Sequence, residues 1–435
     1  MSRWWCGWSL AAALVLAAPV FAGDWAQWRG PHFNGSSDET DLPADFDAVR
    51  WSAPMPGPGA ATPVVVADRV FVSSYDSGSR QVVAICLDRL DGNIIWQKKM
   101  GLVDAGAHPN MENHRAASSP VADLKSRRVY FLTGEGVMRG YDFDGNRKWE
   151  RRFQEDYGSF EFLWGYGSSP LLHGGKLYVP VLQRSEDVQG KHDETRDSYL
   201  LILDVNNGKT IHRYVRPSDA VKESKEAYST PIPRQVGKRT EIIILGGDYI
   251  TGHDPATGQE LWRHGEWNPR KIHHWRMVPS PVAYENLVYA PAPKGQPLFA
   301  IKVAGDRAAQ AWQMDRNTTD VPTPLIYEGR MYVLCGGKKV LTCLDPISGN
   351  EIWSGELPAH RYFRASATAG DGKIYLINAE GEAFIVAAGG RKFRILAQAS
   401  LGGYPARASI ALAHGNAFIR TAERLVCVGN LKSDQ

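Results

Sequence analysis

Residues 323–353 read TPLIYEGRMYVLCGGKKVLTCLDPISGNEIW, and this stretch decides the fold because much of the remaining chain repeats it. Taken with a period of two, it divides into apolar runs at 325–327, 331–335 and 340–344, separated by Gly-containing turns. A fourth run follows the turn Asp345-Pro346-Ile347-Ser348-Gly349 and ends at Trp353. The expectation is a four-stranded antiparallel meander.

Two fixed points of this stretch recur along the chain. The Ser/Thr-Pro that opens the first strand returns at Thr62, Ser119, Ser169, Thr230 and Ser280, and it degrades to Ser366-Ala367 and Ser409-Ile410, still 43 residues apart. The Asp-x3-Gly-x3-Trp turn returns as Asp88/Gly92/Trp96 and Asp254/Gly258/Trp262, beside Asp345/Gly349/Trp353. Asp142/Gly145/Trp149 is one residue shorter, Asp204/Gly208/His212 lacks the Trp, and Trp312 ends a blurred copy. There are therefore eight starts.

Repeats of this length, each a small sheet that cannot bury both faces alone, imply a β-propeller. The last copy stops one strand short, whereas 49–51 carries a spare terminal Trp51 ahead of the first repeat. Closing the ring with that strand leaves no blade with an open edge. The fold expected is all-β: an eight-bladed propeller of four-stranded antiparallel blades, closed by an N-terminal strand.

The Ser/Thr-Pro start and the Asp-x-x-(Thr/Ser)-Gly turn with its Trp resemble the pyrroloquinoline-quinone-type (PQQ-like) propeller repeat, over essentially all of residues 49–435. The resemblance implies architecture more than activity, since the repeat occurs in quinone-dependent dehydrogenases and in propellers that only hold proteins together. It extends distantly to the propeller subunit of the outer-membrane barrel-assembly machine. Two functions follow as expectations. One is an exported binding or scaffold module for an envelope protein, a glycan or a small anionic ligand; the other is a PQQ-dependent alcohol or sugar dehydrogenase with calcium. The adjacent Cys-Cys pair typical of those dehydrogenases is missing from this sequence.

Residues 1–22 resemble a secretory signal, with Arg3, a short apolar core and Val20-Phe21-Ala22 as a cleavage site. A periplasmic or secreted mature chain without a transmembrane anchor is expected. Residues 23–48 form a strap before the closing strand, whose Trp25-Ala26-Gln27-Trp28-Arg29-Gly30-Pro31 is similar to a leader on exported PQQ-like propellers. The strap is expected to lay its two Trp rings over apolar surface. A net charge of +3 on 435 residues gives no footprint for nucleic acid. Of the cysteines beyond the signal, Cys86, Cys343 and Cys427 occupy equivalent third-strand places, and only Cys335 and Cys343 lie on paired strands where they would meet.

Following the chain through one blade puts the fourth-to-first and second-to-third connections on one face and the Asp-x3-Gly turns on the other. Most long connections fall on the first face, which is where function is expected. The residues preceding each first strand crowd the axis there: Glu112, Asn113, His114 and Arg115; Trp164 and Tyr166; Tyr228; His274, Trp275 and Arg276; Asp320; Arg361 and Arg364; and Arg407. Guanidinium groups pairing with carboxylates and indoles stacking on a ring would suit a planar anion. Neither a metal-ligand motif nor a nucleophile motif accompanies them; the resemblance to the quinone-dependent dehydrogenases implies Glu112 and Asn113 as counterparts of their calcium-ligating acid and amide, with no spacing that fixes their geometry.

Overall fold

The computed structural model describes residues 23–102, 116–187, 196–265 and 267–429. Eight four-stranded antiparallel sheets form a ring, each beginning at one of the Ser/Thr starts. The opening stretch forms the sixth blade, with strands Leu325–Tyr327, Arg330–Cys335, Val340–Leu344 and Glu351–Glu356. The eighth is completed by Val49–Pro54, which pairs antiparallel with Arg424–Gly429 and sets Trp51 opposite Cys427. First and last parts of the chain therefore share a sheet.

The repeated residues hold neighbouring blades together, each by a definite contact. The turn Asp caps its own turn: Asp345 Oδ1 accepts from the Ile347 and Ser348 N–H groups, an Asx-type turn. Each blade Trp then lies on the turn of the next blade. Trp51, Trp96, Trp149 and Trp312 donate their indole N–H to the carbonyls of Arg89, Phe143, Val205 and Pro346, each immediately after a turn Asp. Gly349 has φ 74°, and a Cβ there would come within 2.7 Å of the Trp312 ring, so only glycine fits. Trp262 is the exception; the fifth blade has no such turn, and its indole donates instead to buried Glu241 in its own blade.

Beneath each Trp, the partner on the third strand is small: Cys86, Gly140, Gly252, Ala300, Cys343 and Cys427 face Trp96, Trp149, Trp262, Trp312, Trp353 and Trp51. This accounts for three of the cysteines as small buried groups. Cys335 faces Val340 while Cys343 faces Tyr332, so the two do not meet, and all the described cysteines are free.

The Ser/Thr starts form a second ring. The backbone N–H of Thr62, Ser119, Ser169, Thr230, Ser280, Thr323 and Ser366 each donates to the hydroxyl of the next start in the series, at 2.7–3.1 Å. Among the described residues, the Thr62 hydroxyl, at the seam between the eighth and first blades, is the one start hydroxyl that has no partner.

Substituting Trp353, which is buried and donates to Gly389 of the seventh blade, is expected to cost about 3–5 kcal/mol as Trp353→Ala. Urea denaturation would measure it, and ligand affinity should not change, because the side chain is remote from the axis.

Candidate functional site

The strap runs inside the ring, not across its face. Each first strand pairs with the second on one side only, and in four blades the free inner edge receives the strap. Trp25 bridges Val65, Ala26 accepts from Ala122, Asn34 accepts from Ile326, and Ser36 bridges Ala369. Trp25 is fully buried. Arg29 is fully buried as well, giving its N–H groups to the Asn34, Pro324 and Ala367 carbonyls at 2.6–2.8 Å. Burial without a counter-charge lowers its pKa to about 9.

Above this floor lies a cavity of about 550 Å³ to which residues leading into the first strands contribute. Its walls include Trp164, Tyr228, Arg276, Arg364 and Arg407, and Trp28 of the strap lines it from below. Of the expected residues, then, Trp164, Tyr228, Arg276, Arg364 and Arg407 are brought together, whereas Asp320 and Arg361 are not part of the lining and Arg361 pairs with Glu380. Tyr166 is not among the lining; it is buried in the blade core with its hydroxyl donating to the Pro180 carbonyl at 3.0 Å. His274 is exposed and, like Trp275, outside the cavity lining. Glu112, Asn113, His114 and Arg115 lie outside the described residues.

The three arginines differ in their surroundings. Arg276 donates to Glu223 at 2.9 Å, lies 5.4 Å from the centre of the Trp164 ring, and shares Glu223 with the Trp164 indole N–H at 3.0 Å. Its charge is answered within the protein. Arg364 and Arg407 have no carboxylate within ion-pair distance among the described residues. Arg364 lies 5.0 Å from the Tyr362 ring centre. Arg407 is half-buried, its Nε has no partner, and burial lowers its pKa. The sequence offers no sign of this difference, because Glu223 lies 53 positions from Arg276.

Glu223 lies within, and Glu226 directly follows, a short 3-10 turn, Lys222–Lys225, that anchors one wall. Glu226 is fully buried, accepts from the Leu163 N–H and the Tyr228 hydroxyl, and pairs with Arg184. Burial raises its pKa. Asn268 holds the irregular segment leading to Arg276 by accepting from the Ile272 N–H and donating to Asp248. Burial pushes the Asp248 carboxyl up to about 6, and its Oδ1 has no partner.

Because that folded value lies above the unfolded value near 3.9, the ionised carboxylate costs stability above about pH 6 and nothing below the unfolded pKa. Asp248→Asn is expected to raise the melting temperature at pH 7.5, with the gain shrinking as pH falls from 6 to 4. A gain equal at both ends of that range would refute the assignment.

The geometry can be set beside known proteins. A family model described as outer membrane protein assembly factor BamB matches residues 40–185 and 196–430. No curated protein matches the sequence. Among solved structures, BamB from Moraxella catarrhalis is 15% identical with a TM-score of 0.59, over 88% of this chain and 97% of that one. The quinohemoprotein alcohol dehydrogenase ADHIIG from Pseudomonas putida HK5 is 12% identical with a TM-score of 0.68, over 95% and 81%. A europium-containing methanol dehydrogenase is likewise 12% identical with a TM-score of 0.67, over 94% and 89%. At these identities the structural likeness speaks for the fold alone. Among the described residues, no helix is long and apolar enough to cross a membrane. Since the family match spans most of the blades, the chain belongs to the PQQ-like propeller family described as outer membrane protein assembly factor BamB.

Proposed function

We propose that the protein is an exported binding module whose axial pocket takes a small, multiply charged anion at the cell envelope. The observation that carries this reading is the pair Arg364 and Arg407, which face the cavity without a described carboxylate partner. Cations held against a part-buried wall without a counter-charge favour an acidic guest, which would regain in charged hydrogen bonds what burial costs. Trp28, Trp164 and Tyr228 add flat surface for the body of the guest. The signal-like residues 1–22 support export.

The dehydrogenase reading requires PQQ with calcium. Two arginines and two indoles fit the acidic, planar organic part. The described lining, however, contains no carboxylate, and no three His, Cys, Asp or Glu side chains group as a metal site among the described residues. A hard cation needs several oxygen ligands, and the acid and amide that would supply them, Glu112 and Asn113, lie outside the described residues; what favours binding is the pair Arg364 and Arg407 in the cavity wall.

Calorimetric titration of the chain from residue 23 with tricarballylate, pyrophosphate, and PQQ with and without Ca²⁺ tests the proposal. Salt-sensitive binding of a multiply charged anion is expected, without dye-linked alcohol oxidation. Binding of none of these, or quinone- and calcium-dependent turnover, would overturn it.

A further inference from the structure

Ser119, Ser169, Thr230, Thr323, Ser366 and Ser409 all line the cavity, one from each of six blades. Each accepts a backbone N–H from the neighbouring start, so one lone pair of each oxygen is committed to holding the ring together. None of the six O–H groups donates a hydrogen bond to another group among the described residues. A hydroxyl carries one donor and two acceptor sites, and accepting one bond strengthens the donor it still has to give. The other polar side chains of the lining are the indoles of Trp28 and Trp164, Tyr228, and the guanidinium groups of Arg276, Arg364 and Arg407. The Tyr228 hydroxyl already donates to Glu226. No side chain in the described lining is a carboxylate, an amide or an imidazole. The wall is thus rich in donors and poor in strong acceptors.

We infer that these six hydroxyls donate hydrogen bonds to the guest, and that they make the pocket select small molecules with several acceptor oxygens and no ammonium group. This rests on the reading of the cavity as an anion site. It adds a second layer of recognition: Arg364 and Arg407 answer the charge, and the hydroxyls count acceptors. A carboxylated and a phosphorylated guest share that chemistry.

The test uses pairs of ligands and pairs of variants. Glutarate and 2-oxoglutarate carry the same charge, but the second has one more acceptor oxygen; it is expected to bind the wild-type chain about fivefold more tightly. Thr230→Val with Thr323→Val removes two donors, whereas Thr230→Ser with Thr323→Ser keeps them. Tricarballylate affinity should fall about tenfold or more in the valine pair and stay within about twofold of wild type in the serine pair.

Valine also removes the acceptors for the Ser169 and Ser280 N–H groups, so the melting temperature should fall. A purely structural role would lower that temperature while leaving the preference for 2-oxoglutarate over glutarate unchanged, and that result would overturn the inference. If the valine pair does not fold, equal wild-type affinities for glutarate and 2-oxoglutarate overturn it instead. Failure of wild type to bind either tricarballylate or pyrophosphate would remove the anion site itself, and the hydroxyl inference with it. Binding without acceptor selectivity would remove only the role of the hydroxyls. The tighter of tricarballylate and pyrophosphate identifies the guest as carboxylated or phosphorylated.

Discussion

A chain lacking residues 23–54 is expected to aggregate or fall to protease under conditions where the chain from residue 23 is a folded monomer. Two losses combine. Removing Val49–Pro54 strips the eighth blade of the strand that pairs with Arg424–Gly429, leaving an open edge of the kind that templates association. The deletion also takes away Trp25, Leu42 and Phe46 of the strap and Trp51 of the closing strand, all buried. At about 1.5–3 kcal/mol for each large apolar side chain, the four represent roughly 6–12 kcal/mol. That is comparable to the entire net stability of a typical domain, about 5–15 kcal/mol. The main-chain bridges from Trp25 to Val65 and from Ser36 to Ala369 go as well. Limited trypsin digestion and size-exclusion chromatography would read the outcome. A monomer with an unchanged melting temperature would mean that the ring holds without its N-terminal strand.

Replacing Arg364 and Arg407 together by alanine is expected to weaken binding of a trianion such as tricarballylate by about a hundredfold or more. A hydrogen bond to a charged group contributes about 1.5–3 kcal/mol, and each 1.4 kcal/mol is tenfold in affinity. Arg364 is exposed, which places its share at the lower end; Arg407 is half-buried and contributes more. Stability should barely move. Neither guanidinium has an ion pair to lose among the described residues, and the Arg407 cation is disfavoured by burial in the absence of a guest. Arg276→Ala serves as the contrast. It breaks the pair with Glu223 and uncovers Trp164, so it should lower the melting temperature while reducing affinity less than the double substitution. Calorimetry on the two variants separates these cases, and affinity that survives loss of both Arg364 and Arg407 would place recognition elsewhere.

The spacing of Thr323, Asp345, Gly349 and Trp353 was enough to specify one blade, and its recurrence from Thr62 to Ser409 was enough to specify eight. These are local patterns: alternation sets the strands, and Asp and Gly set the turn between them. The spare Trp51 even disclosed how the ring closes. The contacts these residues make were not legible, because they cross from one blade to the next. Nothing in the sequence says that a Trp lies on the following blade's Gly, that Cys86, Gly140 and Ala300 are equivalent in being small, or that each Ser/Thr hydroxyl accepts from its neighbour's backbone.

The site divides in the same way. Trp164, Arg276, Arg364 and Arg407 were placed at the axis by counting from the first strands. Tyr166, however, turned into the core: the segment before this first strand is irregular, so the two-residue alternation that would keep Tyr166 on the same side as Trp164 does not hold there. The strap's path through the ring, which brings Trp28 to the cavity, follows from unpaired inner strand edges that exist only once all eight blades are assembled. Which arginine is free depends on Glu223, brought to Arg276 by the packing of two loops from different blades. Sequence periodicity determined the blades and their number; long-range packing alone decided which charges meet a partner and which face an open pocket.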